Sequence, residues 1–221
     1  MTLDVSTVRG VGWLVFDRPH SANAIDAQMF VDLEEAWARL EADPDVGVIV
    51  NTGNGRAFQT GLDVVQLARD KDALRASSRQ TRDFELRMTG WHCGVTKPII
   101  AAVNGTCAGG GLHFVADADI VIASTDATFL DPHVSVGQVS AFETIGLLRK
   151  APMEAVTRLA LMGRHERVDA ARARQLGIVS EVVDPAALRA RAQQLAELIA
   201  HGDPRMLAAV KATAWAALER P

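Results

Sequence analysis

The chain is poor in sulfur and has no long apolar run. Its 221 residues include two cysteines, Cys93 and Cys107, in no CxxC or other metal-ligand spacing. No secretory leader precedes the first strand-like run, so reduced thiols and a cytoplasmic location are expected. No stretch reaches the roughly 18 apolar residues of a membrane span, so no membrane partner is expected. A basic excess is missing too: 23 Lys and Arg face 27 Asp and Glu, for a formal net charge of −4. Nucleic-acid binding usually needs such an excess, so that class is set aside. Clustered cations could still hold a small phosphate-rich ligand. Linkers, low-complexity tracts and literal repeats are absent. So are a P-loop and a GxGxxG run with its downstream acid, which leaves a dinucleotide reading weak.

What remains is ordinary globular composition, 48% hydrophobic and 23% charged, long enough for one compact domain. Val8 to Phe16 reads as a strand ending at the turn signal Asp17-Arg18-Pro19. Asp26 is placed to cap a helix whose Met29, Phe30, Leu33, Trp37 and Leu40 recur at helical spacing, with Asp43-Pro44 as its stop. Val46 to Val50 is a second strand, 57 to 67 a loop leading into a helix near Asp63, and 73 to 92 a weakly periodic helix. Ile99 to Val103 is a buried strand, and Gly109-Gly110-Gly111 opens a helix through about Ala116. Short strands at 120–123 and 128–130 follow. Beyond about Ser140 the pattern is helical, broken by a strand at 178–183. The last helix, Pro204 to Leu218, has an apolar stripe at Leu207, Val210 and Trp215 that needs a covering partner. The order is α/β.

Two glycine loops stand out: Arg56-Ala57-Phe58-Gln59-Thr60-Gly61-Leu62-Asp63, and Ala101 to Leu112 with its run of three glycines. In the second, a buried strand feeds glycines straight into a helix start. That presents free backbone N–H groups, backed by the helix dipole, to an anion or a developing oxyanion. A lone glycine run is more often a tight turn, so the pair of loops matters more than either one.

Phe58-x-x-Gly61-x-Asp63, then Pro98-x-x-Ala101-Ala102-Val103-Asn104-Gly105 and the glycine run, resembles the enoyl-CoA hydratase/isomerase (crotonase) superfamily. Arg18-Pro19, Asn23-Ala24, Ala118-Asp119-Ile120, Ala127-Thr128-Phe129 and the Ala-x-x-Leu-Gly-Ile-Val segment before Val183 extend it. The resemblance implies a spiral of strand-strand-helix (ββα) units over 1–183 that binds acyl-CoA, with a C-terminal helical segment at 184–221. It further implies a homotrimer or dimer of trimers, and no cofactor beyond the CoA carried by the substrate. By the same resemblance Leu62 and Gly110 supply the two oxyanion N–H donors, flanked by Gly61 and Gly109. Ala22, Ala24 and Asp63 are expected along the CoA path, with Asp63 reading first as a helix cap.

The sequence also departs from the family. Where its hydratases carry two glutamates, this chain has His113 and His133, each able to act as a general acid or base near neutral pH. Glu143 lies in a loop that often reaches the acyl group, and Asp131 reads either as a turn cap or as a partner for His133. Ala141 stands where the family's dehalogenases have an aspartate nucleophile, which argues against that chemistry. His92 reads as a pocket wall, and no third residue has metal-ligand spacing, so no metal is expected. Family members also continue past the position of Trp215 with further helices that help cover CoA. The expected activity is a hydratase-like lyase acting on an acyl-CoA thioester. Alternatives are another reaction of the superfamily (isomerisation, decarboxylation or thioester hydrolysis) or non-catalytic acyl-CoA binding.

Overall fold

The computed structural model describes residues 2–63, 87–140 and 142–218. The chain opens with a hairpin, β1 (Leu3–Val8) against β2 (Val11–Phe16). The single strand expected over 8–16 is therefore a turn and one arm of two. Arg9 and Gly10 both adopt positive φ, 47° and 80°, the backbone of a two-residue turn matched to the strand twist. Arginine is not a usual residue for that first position, so the signal was weak.

Helix α1 (Ala27–Ala42) is capped by Asp26, whose carboxylate accepts from the Met29 N–H at 2.8 Å. Met29, Leu33, Trp37 and Leu40 are buried along its inner face. Strand β3 (Val48–Gly53) runs three residues beyond the expected end, and β4 (Ala57–Gln59) occupies part of the stretch read as loop. The helices expected near Asp63 and over 73–92 lie largely outside the described residues; the described part of the second, 87–92, is coil, bend and turn rather than helix.

Next come β5 (Ile99–Val103), β6 (Thr106–Ala108), α2 (Gly111–Ala116), β7 (Ile120–Ser124) and β8 (Thr128–Leu130). Helices α3 (Phe142–Leu147) and α4 (Met153–Met162) lead to β9 (Val168–Asp169) and α5 (Ala170–Gln175). The chain closes with β10 (Glu181–Val183), α6 (Leu188–Ala200) and α7 (Pro204–Leu218).

Two sheets explain the order. The larger runs β1-β2-β3-β5-β7-β10, parallel except for the opening hairpin; the smaller runs β4-β6-β8-β9. Three times in succession the chain lays one strand in the large sheet and the next in the small one: β3 then β4, β5 then β6, β7 then β8. Each turn thus stacks on the last, and the small sheet aligns Ala57 with Thr106 and Thr106 with Thr128. A main apolar core lies between the sheets and α1, α2 and α4, built on Phe16, Phe58, Phe114 and Phe129. Phe16 meets Phe58 and Phe114 edge-on at 5.4 and 4.8 Å, a favoured ring geometry. On the other face of the large sheet α6 buries Leu188, Ala192 and Ala196 against Val11, Val48, Ile100 and Ile122.

Helix α7 buries none of its residues fully. Trp215 and Lys211 attach it instead, the indole N–H donating to Asp119 Oδ1 at 2.7 Å and Lys211 Nζ lying 3.0 Å from Oδ2. Leu207 and Trp215 of the expected stripe are half-buried, while Val210 is 68% exposed. Both cysteines are free thiols. Burial pushes Cys93 up to about 11 and Cys107 higher still, so neither forms a thiolate near neutral pH. No helix among the described residues is long and apolar enough to cross a membrane.

Candidate active site

The site forms where three successive turns of the spiral meet. Gly61 follows β4, the glycine run follows β6, and Asp131 to His133 follow β8. Gly61 has φ 84°, and a Cβ there would lie 2.8 Å from the Gly110 nitrogen. A Cβ on Gly110 would in turn approach the Gly61 Cα at 3.2 Å and the Leu62 nitrogen at 4.0 Å. Glycine at both positions is what lets the two loops touch. The backbone N–H groups of Leu62 and Gly110 stand beside each other, and neither finds a backbone acceptor among the described residues.

Gln59, fully buried, holds this arrangement. Its Oε1 accepts from the Gly61 N–H at 2.6 Å, and its Nε2 donates to the Asn23 carbonyl at 3.1 Å. A Cβ on Gly111 would meet the Gln59 carbonyl oxygen at 2.1 Å, so the helix start also presses on this strand. Leu62 bridges Ile25 in parallel fashion, with Ile25 donating to the Gly61 carbonyl and Asp63 donating to that of Ile25, both at 2.8 Å. Sequence reasoning missed Gln59; a polar residue inside a strand that the fold buries completely was the only hint.

The residues expected along the CoA path lie on the adjoining loop. Ala22 is exposed with φ 50°, and its carbonyl accepts from the Thr60 hydroxyl at 2.9 Å. Ala24 is buried, with its N–H bonded to Ser21 and its carbonyl to the Arg18 guanidinium. The same guanidinium pairs with Asp63 and Asp26, each at 3.1 Å. Asp63 is therefore an ion-pair partner that ties the Gly61 loop to the Arg18 turn.

Opposite the glycines lies a chain of ionisable groups. His133 Nδ1 donates to Asp131 Oδ1 at 2.6 Å, and the His133 backbone N–H reaches the same oxygen at 3.1 Å. Asp131 thus both caps the turn and fixes the ring. Its other oxygen accepts from the Thr144 hydroxyl at 2.8 Å. Burial alone would raise the Asp131 pKa, but its bonds to His133, Ser140 and Thr144 outweigh that and hold it below the usual carboxylate range. The bond to Asp131 raises His133, against burial and with help from Glu143.

Glu143 lies between the two histidines, its Oε1 at 3.5 Å from His113 Nε2 and 3.6 Å from His133 Nε2. Burial would raise it; the His113 bond, then the charges of His113 and His133, hold it lower. His133 also borders the glycine run, since a Cβ on Gly109 would lie 3.6 Å from its Cε1. The fold therefore brings Leu62, Gly110, His113, His133 and Glu143 to one place. Ala141 lies outside the described residues.

Behind His113 the chain of contacts continues. His92 meets its ring edge-on at 5.4 Å, and burial lowers the His92 pKa to about 4, with Asp117 opposing and His113 and Arg149 assisting. The buried Asp117 accepts from the Thr89 hydroxyl at 2.7 Å and faces Arg149 at 3.4 Å. Arg149 in turn lies between the Trp91 and Trp215 rings, 5.2 and 5.1 Å from their centres. His92, His113 and Asp117 present ligand atoms all within 4.8 Å of one another. Spacing had offered no third ligand, because Asp117 sits one helical turn from His113 and His92 comes from another strand's approach.

Known proteins agree with this architecture. The family description Enoyl-CoA hydratase/isomerase matches residues 6–221. The (E)-benzylidenesuccinyl-CoA hydratase of Thauera aromatica is 35% identical over 223 residues, covering 100% of this chain and 84% of that protein. A Mycobacterium tuberculosis hydrolase of a methyl-dioxo-hexahydroindene-carboxyl-CoA is 33% identical over 91% of this chain and 79% of its own length. The crystal structure of an enoyl-CoA hydratase/isomerase from Mycobacterium paratuberculosis superposes with a TM-score of 0.89 at 33% identity, covering 100% of this chain and 83% of that one. With its spiral order and its paired glycine loops, the chain belongs to the enoyl-CoA hydratase/isomerase (crotonase) superfamily and is an enoyl-CoA hydratase-like enzyme of acyl-CoA thioesters.

Proposed function

We propose that this enzyme adds water to, or removes it from, the α,β-position of an acyl-CoA thioester. The Leu62 and Gly110 N–H groups hold the thioester oxygen in this reading. The observation that carries it is the Glu143 carboxylate held between His113 and His133, 3.5 and 3.6 Å away, with His133 bordering the glycine run. When water attacks the β-carbon, negative charge moves to the thioester oxygen; two preorganised donors stabilise it, each worth about 3–4 kcal/mol.

Proton traffic falls to the ionised cluster. Asp131 keeps the His133 proton on Nδ1, leaving Nε2 toward Glu143. His133, made more basic by Asp131, carries a second proton on Nε2. That proton, or the one on His113 Nε2, goes to the α-carbon while Glu143, held anionic, takes a proton from water and passes it to the emptied nitrogen. The histidines then replace the family's usual glutamates without any added cofactor. A rival reading keeps the donors and changes the reaction to thioester hydrolysis, as the name of the Mycobacterium tuberculosis relative suggests. Exposed Val136, Val139, Ile145, Met153 and Leu161 support assembly with further copies, and the family resemblance makes that a homotrimer or dimer of trimers.

The test is to follow loss of the enoyl-thioester absorbance and free thiol release over a panel of enoyl-CoA esters that includes aryl and dicarboxyl chains. Absorbance loss without thiol release is expected. Stoichiometric thiol release would install the hydrolase reading, and tight acyl-CoA binding with neither signal would make the protein a binder.

A further inference from the structure

We propose that His92, His113 and Asp117 form a binding site for a divalent transition metal of the zinc class, and that an ion there withdraws His113 from proton transfer. The second half rests on the role given to His113 above; the first stands on geometry alone.

The donor set is two imidazoles and one carboxylate, the mixture that suits zinc and cobalt. Their ligand atoms lie within 4.8 Å of one another, and His92 Nε2 is 4.0 Å from Asp117 Oδ2. Ligands about 2.0–2.2 Å from a shared ion stand up to roughly 4 Å apart, so modest side-chain movement closes the set. His113 and Asp117 come from one turn of α2 and its end, and His92 is set against them by the turn at 89–94. All three are largely shielded from water, with His113 3% and Asp117 6% exposed.

The stronger argument lies one layer out. A metal-binding histidine usually donates its other ring N–H to a carboxylate or hydroxyl, which fixes its orientation. Thr89 does this for His92: its hydroxyl donates to Asp117 Oδ2 at 2.7 Å, leaving Oγ1 to accept from His92 Nδ1 at 2.9 Å. The Thr89 backbone N–H, which can only donate, also reaches Nδ1 at 3.3 Å, a bond that an ion at Nε2 would exchange for Nδ1–H donating to Oγ1. With the proton on Nδ1, His92 Nε2 is left with its lone pair toward Asp117. Glu143 holds His113 through Nε2 at 3.5 Å, and Arg149 takes Asp117 Oδ1 at 3.4 Å, leaving Oδ2 on the side of the histidines. One hydroxyl therefore aligns two ligands, and each ligand has an outer partner. Glu143 and Asp117 also supply the negative charge that a divalent ion requires.

Titrating the full-length protein with Co2+ at pH 8 should give a ligand-field absorption band that saturates at one ion per chain and is displaced by Zn2+. His92→Phe, which keeps a ring against His113, and Asp117→Asn should each weaken binding at least about tenfold. Thr89→Val, which removes no ligand, should weaken it by about 10–100-fold, as loss of an outer partner does. His201→Asn is the control and should change nothing. X-ray absorption of the zinc-loaded wild-type protein decides the matter without variants, through two imidazoles and a carboxylate at about 2.0–2.2 Å. No stoichiometric band, fewer than two imidazoles, or undiminished binding in a folded His92→Phe protein would overturn the site. Saturating Zn2+ should also cut turnover at least tenfold in the wild type and not in His92→Phe. Binding without inhibition would leave the site standing and remove His113 from the reaction.

Discussion

Asp131→Asn should move the pH dependence of turnover far more than it changes substrate binding. The carboxylate is almost fully buried and accepts from His133 Nδ1 at 2.6 Å, the His133 N–H at 3.1 Å and Thr144 at 2.8 Å, with Ser140 adding to these. Asparagine preserves volume but removes the charge, and its amide can offer a donor where Nδ1–H needs an acceptor. A hydrogen bond to a charged group contributes about 1.5–3 kcal/mol and a neutral one about 0.5–1.5. The difference, about 1–1.5 kcal/mol, corresponds to roughly one pKa unit. The limb of kcat/KM that reports His133 should therefore shift down by about one unit while the other limb stays. Turnover should fall by up to about 10²–10⁴-fold, the range of a general acid–base group, with KM changed little.

The same bond sets a stability window. His133 is raised in the folded state, so its stabilisation is complete below its unfolded value and is lost as pH rises through the folded one. Asp131 is lowered, so its stabilisation is present above its unfolded value and is lost as pH falls through the folded one. Urea unfolding should show a larger gap between wild type and variant at pH 5.5 than at pH 9. Unmoved limbs with turnover within twofold of wild type, in a folded variant, would refute the reasoning.

Other perturbations have equally definite outcomes. Glu143→Gln removes the shared carboxylate and should lower kcat by about 10²–10⁴-fold with little change in acyl-CoA affinity measured by calorimetry. Gly61→Ala places a methyl 2.8 Å from the Gly110 nitrogen at φ 84°. It should cost about 1–3 kcal/mol of stability in denaturant unfolding and lower kcat/KM at least tenfold. Asp119→Ala leaves the Trp215 indole and the Ile99 N–H without their acceptor and removes the carboxylate paired with Lys211, which keeps only the Lys97 carbonyl. A loss of about 3 kcal/mol should lower Tm by about 6–12 °C by calorimetry.

Much of this was legible in the sequence, and the exceptions share a cause. The cap at Asp26, the apolar face of α1 and the span of α7 follow from local chemistry, and the structure has them as read. The glycine loops were legible because close backbone approach permits few other residues. The opening hairpin was not, since its turn uses Arg9 where asparagine or aspartate would give the signal. Nor was the group of Thr89, His92 and Asp117, which are up to 28 residues apart and meet only through the packing of α2 on the 89–94 turn. Gln59 was missed for a similar reason: its partners, Asn23 and Gly61, lie on different segments.

The short ladder β4-β6-β8 has a consequence for how activity arises during folding. Each rung adds one component: Gly61 after the first strand, the glycine run after the second, Asp131 and His133 after the third. These strands are three residues each and pair side by side across long separations in sequence, contacts that form late because loop closure precedes them. Activity should therefore emerge in a single late step of refolding and not in fractions, so that turnover serves as a clock for docking of the final rung.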